Sequence, residues 1–157
     1  MKLLILLGCF FLQQNSLTVK SSAFADGHYI PERYSCQGQN INPEVLIGNF
    51  PSNTQSLALI MDDTDSPNGE YDHWIMWNIP PVQKITENSA PGVQGRNSSK
   101  QNKYFGPCPP NGVHTYHFKV YALDVKLEMS DTCGKKELIK AMDGHVLASG
   151  ELKGLFK

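Results

Sequence analysis

From His114 to Asp124 the chain alternates strictly. His114, Tyr116, Phe118, Val120 and Ala122 fall on one face; Thr115, His117, Lys119, Tyr121 and Leu123 fall on the other. A period of two marks an extended strand, because successive side chains leave opposite faces of the pleat. Such a strand needs neighbours, and the sequence offers them. Ser56 to Met61 is a continuous apolar run closed by acids and Pro67, the pattern of a buried central strand. In the following segment His73, Ile75, Trp77 and Ile79 oppose Asp72, Trp74, Met76 and Asn78. Large apolar groups on both faces predict cover from both sides, as in a sandwich. Leu17 to Lys20 and Val45 to Ile47 read as shorter strands. Lys135 to Leu147 reads as one amphipathic helix, with Leu138, Ile139, Met142 and Val146 as its core stripe. The tail from Glu151 to Lys157 is expected to dock on the body. Many strands followed by a helix, without regular alternation, predict a mainly β domain with a few peripheral helices, one of them near the C-terminus.

A length of 157 residues suits one domain with a real core, and no internal repeat interrupts it. Net charge is -1, so no basic field points to nucleic acid. Residues 1–16 read as a signal peptide. Lys2 gives a basic start, Leu3 to Leu12 is apolar, and Gln13 to Ser16 is polar. That apolar run is too short to cross a hydrocarbon layer of about 30 Å. Cleavage near Ser16 leaves residues 17–157 as the mature domain, without a membrane span and with a periplasmic or secreted destination. The competing reading is a buried first strand or helix. Leu6-Leu7-Gly8-Cys9 resembles a lipidation box but stands too early to leave an apolar core before it. With Cys9 removed, Cys36, Cys108 and Cys133 remain, an odd number without a C-x-x-C pair. Cys36 and Cys108 can pair if their loops border the same pocket; otherwise all three are buried, inert thiols.

Two segments carry the polar chemistry. One runs Asp62-Asp63-Thr64-Asp65-Ser66-Pro67 and leads to His73-Trp74. The other runs Gly106-Pro107-Cys108-Pro109-Pro110-Asn111-Gly112-Val113-His114-Thr115-Tyr116. Asp63 and Asp65 stand two apart at a strand end, where a carboxylate can orient a histidine or pair with an ammonium. A calcium loop is excluded by spacing, since Pro67 and Trp74 occupy ligand positions. Glycines admit backbone N–H groups close to a ligand, and prolines stiffen the loop. Two histidines, the Tyr116 hydroxyl and free backbone donors suit a phosphate-sized anion. The same histidines and acids can hold zinc, but a metal does not require such a loop, so neither metal nor cofactor is expected. An enzyme would need a nucleophile. No G-x-S-x-G is present, and Cys108 is the one candidate. Residues 83–105, polar and with Pro91, Gly92 and Gly95, read as a long functional loop or flap, and Asn97-Ser98-Ser99 fits a glycosylation sequon.

In order, D-D-x-D-x-P, H-W-x-x-x-N-I-P, F-G-P-C-P-P-x-G-x-H-x-Y-x-F and Y-A-L-D resemble the bacterial and archaeal, Raf kinase inhibitor-like branch of the phosphatidylethanolamine-binding protein family. Ser22 to Gly27, Ile30-Pro31 and a C-terminal helix running into Glu151-Leu152 resemble it too, so the likeness spans about residues 17–156. The resemblance implies two antiparallel β-sheets with a few helices, and a non-enzymatic pocket for phosphate, carboxylate or a phosphoethanolamine-type head group. By position it makes Asp63 and Asp65 the acidic wall, and puts His73 and His114 on the anion. Gly106 and Pro109 shape the loop, and Tyr116 offers its hydroxyl. It also suggests a second kind of partner, a kinase or serine-type peptidase inhibited through the pocket rim. Thr64 and Ser66 depart from the family's D-P-D-A-P, and Phe156 stands where a tyrosine is common.

Overall fold

The computed structural model describes residues 15–157. The expected leader therefore lies outside the described residues, except for Asn15 and Ser16. The main sheet is built on three long strands: β5 (Ser56–Asp63), β6 (Tyr71–Ile79) and β9 (His114–Leu123). A fourth, β10 (Val146–Phe156), pairs antiparallel with β9 along its whole length. With the short β1 (Asn15–Ser16) and β8 (Val93–Gln94) the order is β1-β10-β9-β5-β6-β8, and β3 (His28–Tyr29) adds to β10. A second sheet of three strands runs β2-β4-β7 (Thr18–Lys20, Val45–Gly48, Lys84–Ile85). The mainly β architecture in two sheets is thus as expected, with one qualification: β1 and β3 join β10 in parallel.

Two apolar layers flank the central strands. Leu57, Leu59, Met61, Trp74, Met76, Tyr116, Phe118 and Val120 pack with Val19, Val45, Ile47 and Ile85 of the small sheet. Ala58, Ile60, Ile75 and Trp77 pack on the other face with Leu127, Leu138 and Met142. β5 is therefore buried along both faces, which is why its sequence is a run rather than an alternation.

The C-terminal region corrects the sequence reading. The only α-helix among the described residues, α1, covers Lys135–Met142 and stops short of Leu147. Gly144, at φ 78°, turns the chain out of the helix. Ile139 is half exposed, and Val146 begins β10. The tail does not dock as an appendage; it is a full strand. Its polar residues face out while Ala148, Leu152, Gly154 and Phe156 face in, an alternation that Gly150 and Gly154 had obscured. No helix among the described residues is long and apolar enough to cross a membrane.

β6 departs from simple alternation twice. Met61 pairs with Trp74, but Asp62 pairs with Asp72, so His73 is an extra residue. Leu57 pairs with Ile79 but Leu59 with Met76, so a second extra residue lies at Trp77–Asn78. Asn78 adopts φ 53°, and its side-chain amide exchanges two hydrogen bonds of 2.8 Å with the Leu127 backbone. Bulges of this kind re-aim side chains. The first one separates His73 from the Ile75–Trp77 face on which strict alternation would place it.

Candidate functional site

The site forms where β5 ends, β6 begins and β9 begins. Consecutive acids at the end of β5 go opposite ways. Asp62 points to the helix side, where it is wholly buried and bonded by Lys119 (2.9 and 2.8 Å) and Lys135 (2.6 Å). Burial alone would raise its carboxyl, but the two lysines outweigh that and hold it below the usual carboxylate range. Asp63 points to the small-sheet side. Its Oδ1 accepts the Asp65 N–H at 2.9 Å, closing the turn, and its Oδ2 accepts from His114 Nδ1 at 2.7 Å.

Both histidines are held through Nδ1. That atom of His114 faces a carboxylate; that of His73 faces the Phe105 carbonyl at 2.7 Å. A carbonyl only accepts, so His73 Nδ1 carries the proton and Nε2 is the nitrogen left for the pocket. The His73 ring stacks on Phe105 (5.8 Å, 14°), meets Tyr116 edge-on (5.2 Å, 80°) and lies 4.8 Å from Tyr71. Burial lowers its pKa from 6.5 against the opposing pull of the Phe105 carbonyl and the Asp63 charge.

A cavity of about 280 Å³ opens over these groups. Asp63, His73 and His114 line it, with Tyr71, Phe105, Cys108 and Pro110 and with Ser66, Pro67 and Asn68 of the β5–β6 turn. Four other residues expected in the site stand behind its walls. Asp65 spends Oδ2 on the Thr115 N–H at 2.7 Å and braces the turn against β9. The Gly106 N–H donates to Asn40 Oδ1 at 2.7 Å, and a Cβ there would overlap the Tyr34 carbonyl oxygen. Pro109 lies beside the lining residues Cys108 and Pro110. Tyr116 is buried beneath His73; its hydroxyl makes no hydrogen bond among the described residues, although Asp63 and the Cys108 backbone are near, and burial raises its pKa. Phe156, where a hydroxyl was noted as missing, pairs with His114 and is buried.

Cys36 and Cys108 form a disulfide, joining the loop after Tyr34 to the pocket wall across 72 residues; Cys133 is free. Residues 83–105 are packed rather than flap-like: Ser98 N–H bonds the Asp72 carbonyl, Phe105 N–H the His73 carbonyl and Arg96 N–H the Cys133 carbonyl. Asn97 of the sequon is buried, and its amide donates to the His73 and Lys103 carbonyls. Tyr71 and Phe105 were missed as lining residues. Tyr71 stands two before His73, and that i, i+2 spacing at a strand start was the available signal.

Toward a metal, the Nε2 atoms of His73 and His114 are the open donors of the pocket, while both Asp63 oxygens already accept hydrogen bonds. Asp62, Glu70 and Asp72 bring their carboxylates within 4.8 Å of one another on the helix side. The Lys135 ammonium already sits among them, at 2.6 Å from Asp62 and Glu70 and 3.4 Å from Asp72.

Comparison with known proteins agrees with the fold. The family model for phosphatidylethanolamine-binding protein matches residues 20–157. The chain belongs to the phosphatidylethanolamine-binding protein family. A UPF0098 protein of Pyrococcus horikoshii is 45% identical, over 96% of this chain and 82% of the relative. One from Methanothermobacter thermautotrophicus is 42% identical, over 90% and 99%. Among solved structures, a putative phosphatidylethanolamine-binding protein homolog of Chlamydia trachomatis superposes with TM-score 0.88 at 39% identity, covering 91% of this chain and 98% of that one. An E. coli protein described as a new member of the mammalian family gives 0.81 at 25% identity, over 90% and 98%.

Proposed function

We propose that this protein binds, without catalysis, a small molecule bearing a phosphate or carboxylate, and that a phosphoethanolamine-type head group fits it best. The observation that carries the reading is the pair of buried histidines. Each has Nδ1 fixed by an acceptor of the protein, and each lines the same cavity with Nε2 left to meet a ligand. Charge-assisted bonds from such groups contribute about 1.5–3 kcal/mol apiece. A cavity of about 280 Å³ suits a head group rather than acyl chains. For the ammonium, the Tyr71 and Phe105 rings offer π-faces beside the Asp63 carboxylate. Asp63 itself mainly orients His114, because both of its oxygens already accept hydrogen bonds. The sulfur of Cys108, the one nucleophile the sequence suggested, is held in a disulfide, which favours binding over covalent chemistry. The same disulfide suits a periplasmic or secreted location.

Calorimetric titration with O-phosphoethanolamine and with inorganic phosphate tests this. Binding by wild type that is lost in His114→Ala and weakened about tenfold or more in Asp63→Asn is expected. A folded wild type that binds neither compound overturns the reading and turns the search to protein partners, a kinase or serine-type peptidase first.

A further inference from the structure

Cys108 is both a wall of the cavity and an exposed residue, whereas Cys36 is half-buried. The chain around Cys108 has few other restraints. Pro107, Pro109 and Pro110 have no N–H to give, and residues 109–113 make no hydrogen bond among the described residues. Upstream, two bonds tie the loop to the segment that carries Cys36: Cys36 N–H to the Pro107 carbonyl at 3.0 Å, and Gly106 N–H to Asn40 Oδ1 at 2.7 Å. Downstream, the next fixed point is His114 itself. Between Pro107 and His114, then, the disulfide is the one cross-link that ties the loop to the body among the described residues. Below it, Phe105 and His73 hold each other by two bonds that do not involve the loop.

We propose that the Cys36–Cys108 disulfide is a thiol-exchange site, and that a dithiol reductant acting on Cys108 loosens the pocket wall and weakens ligand binding. A thiolate of the dithiol attacks the sulfur of Cys108, the more exposed residue of the pair, the S–S bond breaks, and Cys36 leaves as a thiolate that takes a proton. The second thiol of the reductant then attacks the mixed disulfide, Cys108 leaves and is protonated, and the reductant ends as its own disulfide. The protein gains two electrons and two protons; the dithiol loses both. The freed wall moves while the sheet, the Asp63–His114 pair and the His73–Phe105 pair persist. The effect on binding rests on the head-group reading above; the exchange step and the loosening of the loop do not.

The test uses dithiothreitol on the whole wild-type chain. Two new thiols per chain should appear while β5 and β9 amides stay protected. Exchange of the Cys36 and Gly106 amides should then rise at least tenfold, and affinity for O-phosphoethanolamine should fall at least tenfold. Cys36→Ser/Cys108→Ser should match the reduced wild type without responding to reductant, and Cys133→Ser should respond as wild type does. If the double variant does not fold, reduced wild type carries the comparison. The proposal is overturned if folded protein yields no new thiols at millimolar dithiothreitol, or if thiols appear with both amides and affinity within twofold of the oxidised form. Should oxidised wild type bind no O-phosphoethanolamine, the head-group reading fails, and the two amides alone decide the exchange proposal.

Discussion

His73 is a buried base in a place where an anion would prefer an acid. Its pKa is depressed by burial, so the native protein resists the proton that the unfolded chain accepts below about pH 6.5. The contribution to stability is therefore complete above that pH and declines as pH falls toward the folded value. Thermal melts from about pH 8 to 5 should show this decline, and His73→Gln should flatten it. The ligand reverses the preference. To donate from Nε2, His73 must take up a proton, so affinity for sulfate, which stays dianionic throughout, should rise as pH falls from 8 to 6, by at most about tenfold per pH unit. Calorimetry in buffers of different ionisation heat would register the proton uptake; none would mean that His73 does not donate. On the opposite face, Asp62→Asn takes the buried carboxylate from Lys119 and Lys135 while Glu70 and Asp72 still face Lys135, and urea unfolding should show a loss of about 1–3 kcal/mol. The Asp62 carboxyl is held low, so its stabilisation is present above about pH 3.9 and disappears as pH falls through its folded value. Single residues were legible where type and place coincide, as with His114 opening the longest alternation. Asp65 and Tyr116 were not, because spacing reveals which face a side chain takes but not that the Thr115 N–H already holds Asp65 Oδ2 or that Tyr116 is fully buried.

Among the elements, β5 could be read from its apolar run, because burial on both faces leaves little room for polar residues, and β6 and β9 from their alternation. β10 could not: its glycines make room for neighbours. A Cβ at Gly150 would overlap the Leu17 carbonyl oxygen, and one at Gly154 would crowd Ile30 and Phe24. A strand selected for close approach carries a weak hydrophobic signal. The bulge at His73 was equally hidden, since it depends on the pairing partner and not on β6 itself. The loop that carries Gly106 shows the same rule. Gly106→Ala sets a methyl group on the Tyr34 carbonyl, and overpacking of that order costs about 1–3 kcal/mol. The expected result is a lower urea midpoint together with loss of O-phosphoethanolamine binding; unchanged values for both would mean that the two loops separate freely.

At the scale of the molecule, one sheet supports two different tasks, with the pocket on the small-sheet side and the lysine–carboxylate network on the helix side. The disulfide closes a loop of 72 residues spanning β4 to β8. Reducing it should lower stability by about 2–4 kcal/mol through the unfolded state, measurable as a fall in the guanidinium midpoint relative to Cys133→Ser controls. Asp62 and Asp63 are where the two tasks meet, adjacent in sequence and back to back across the sheet. A substitution at either can be judged on its own. A one-residue deletion in β5 cannot, because it flips both at once: Asp63 would turn to the lysines, Asp62 would fall one place short of His114, and His114 would lose its carboxylate. Length variation in this lineage should therefore be tolerated in the β5–β6 turn and absent from the strand before it.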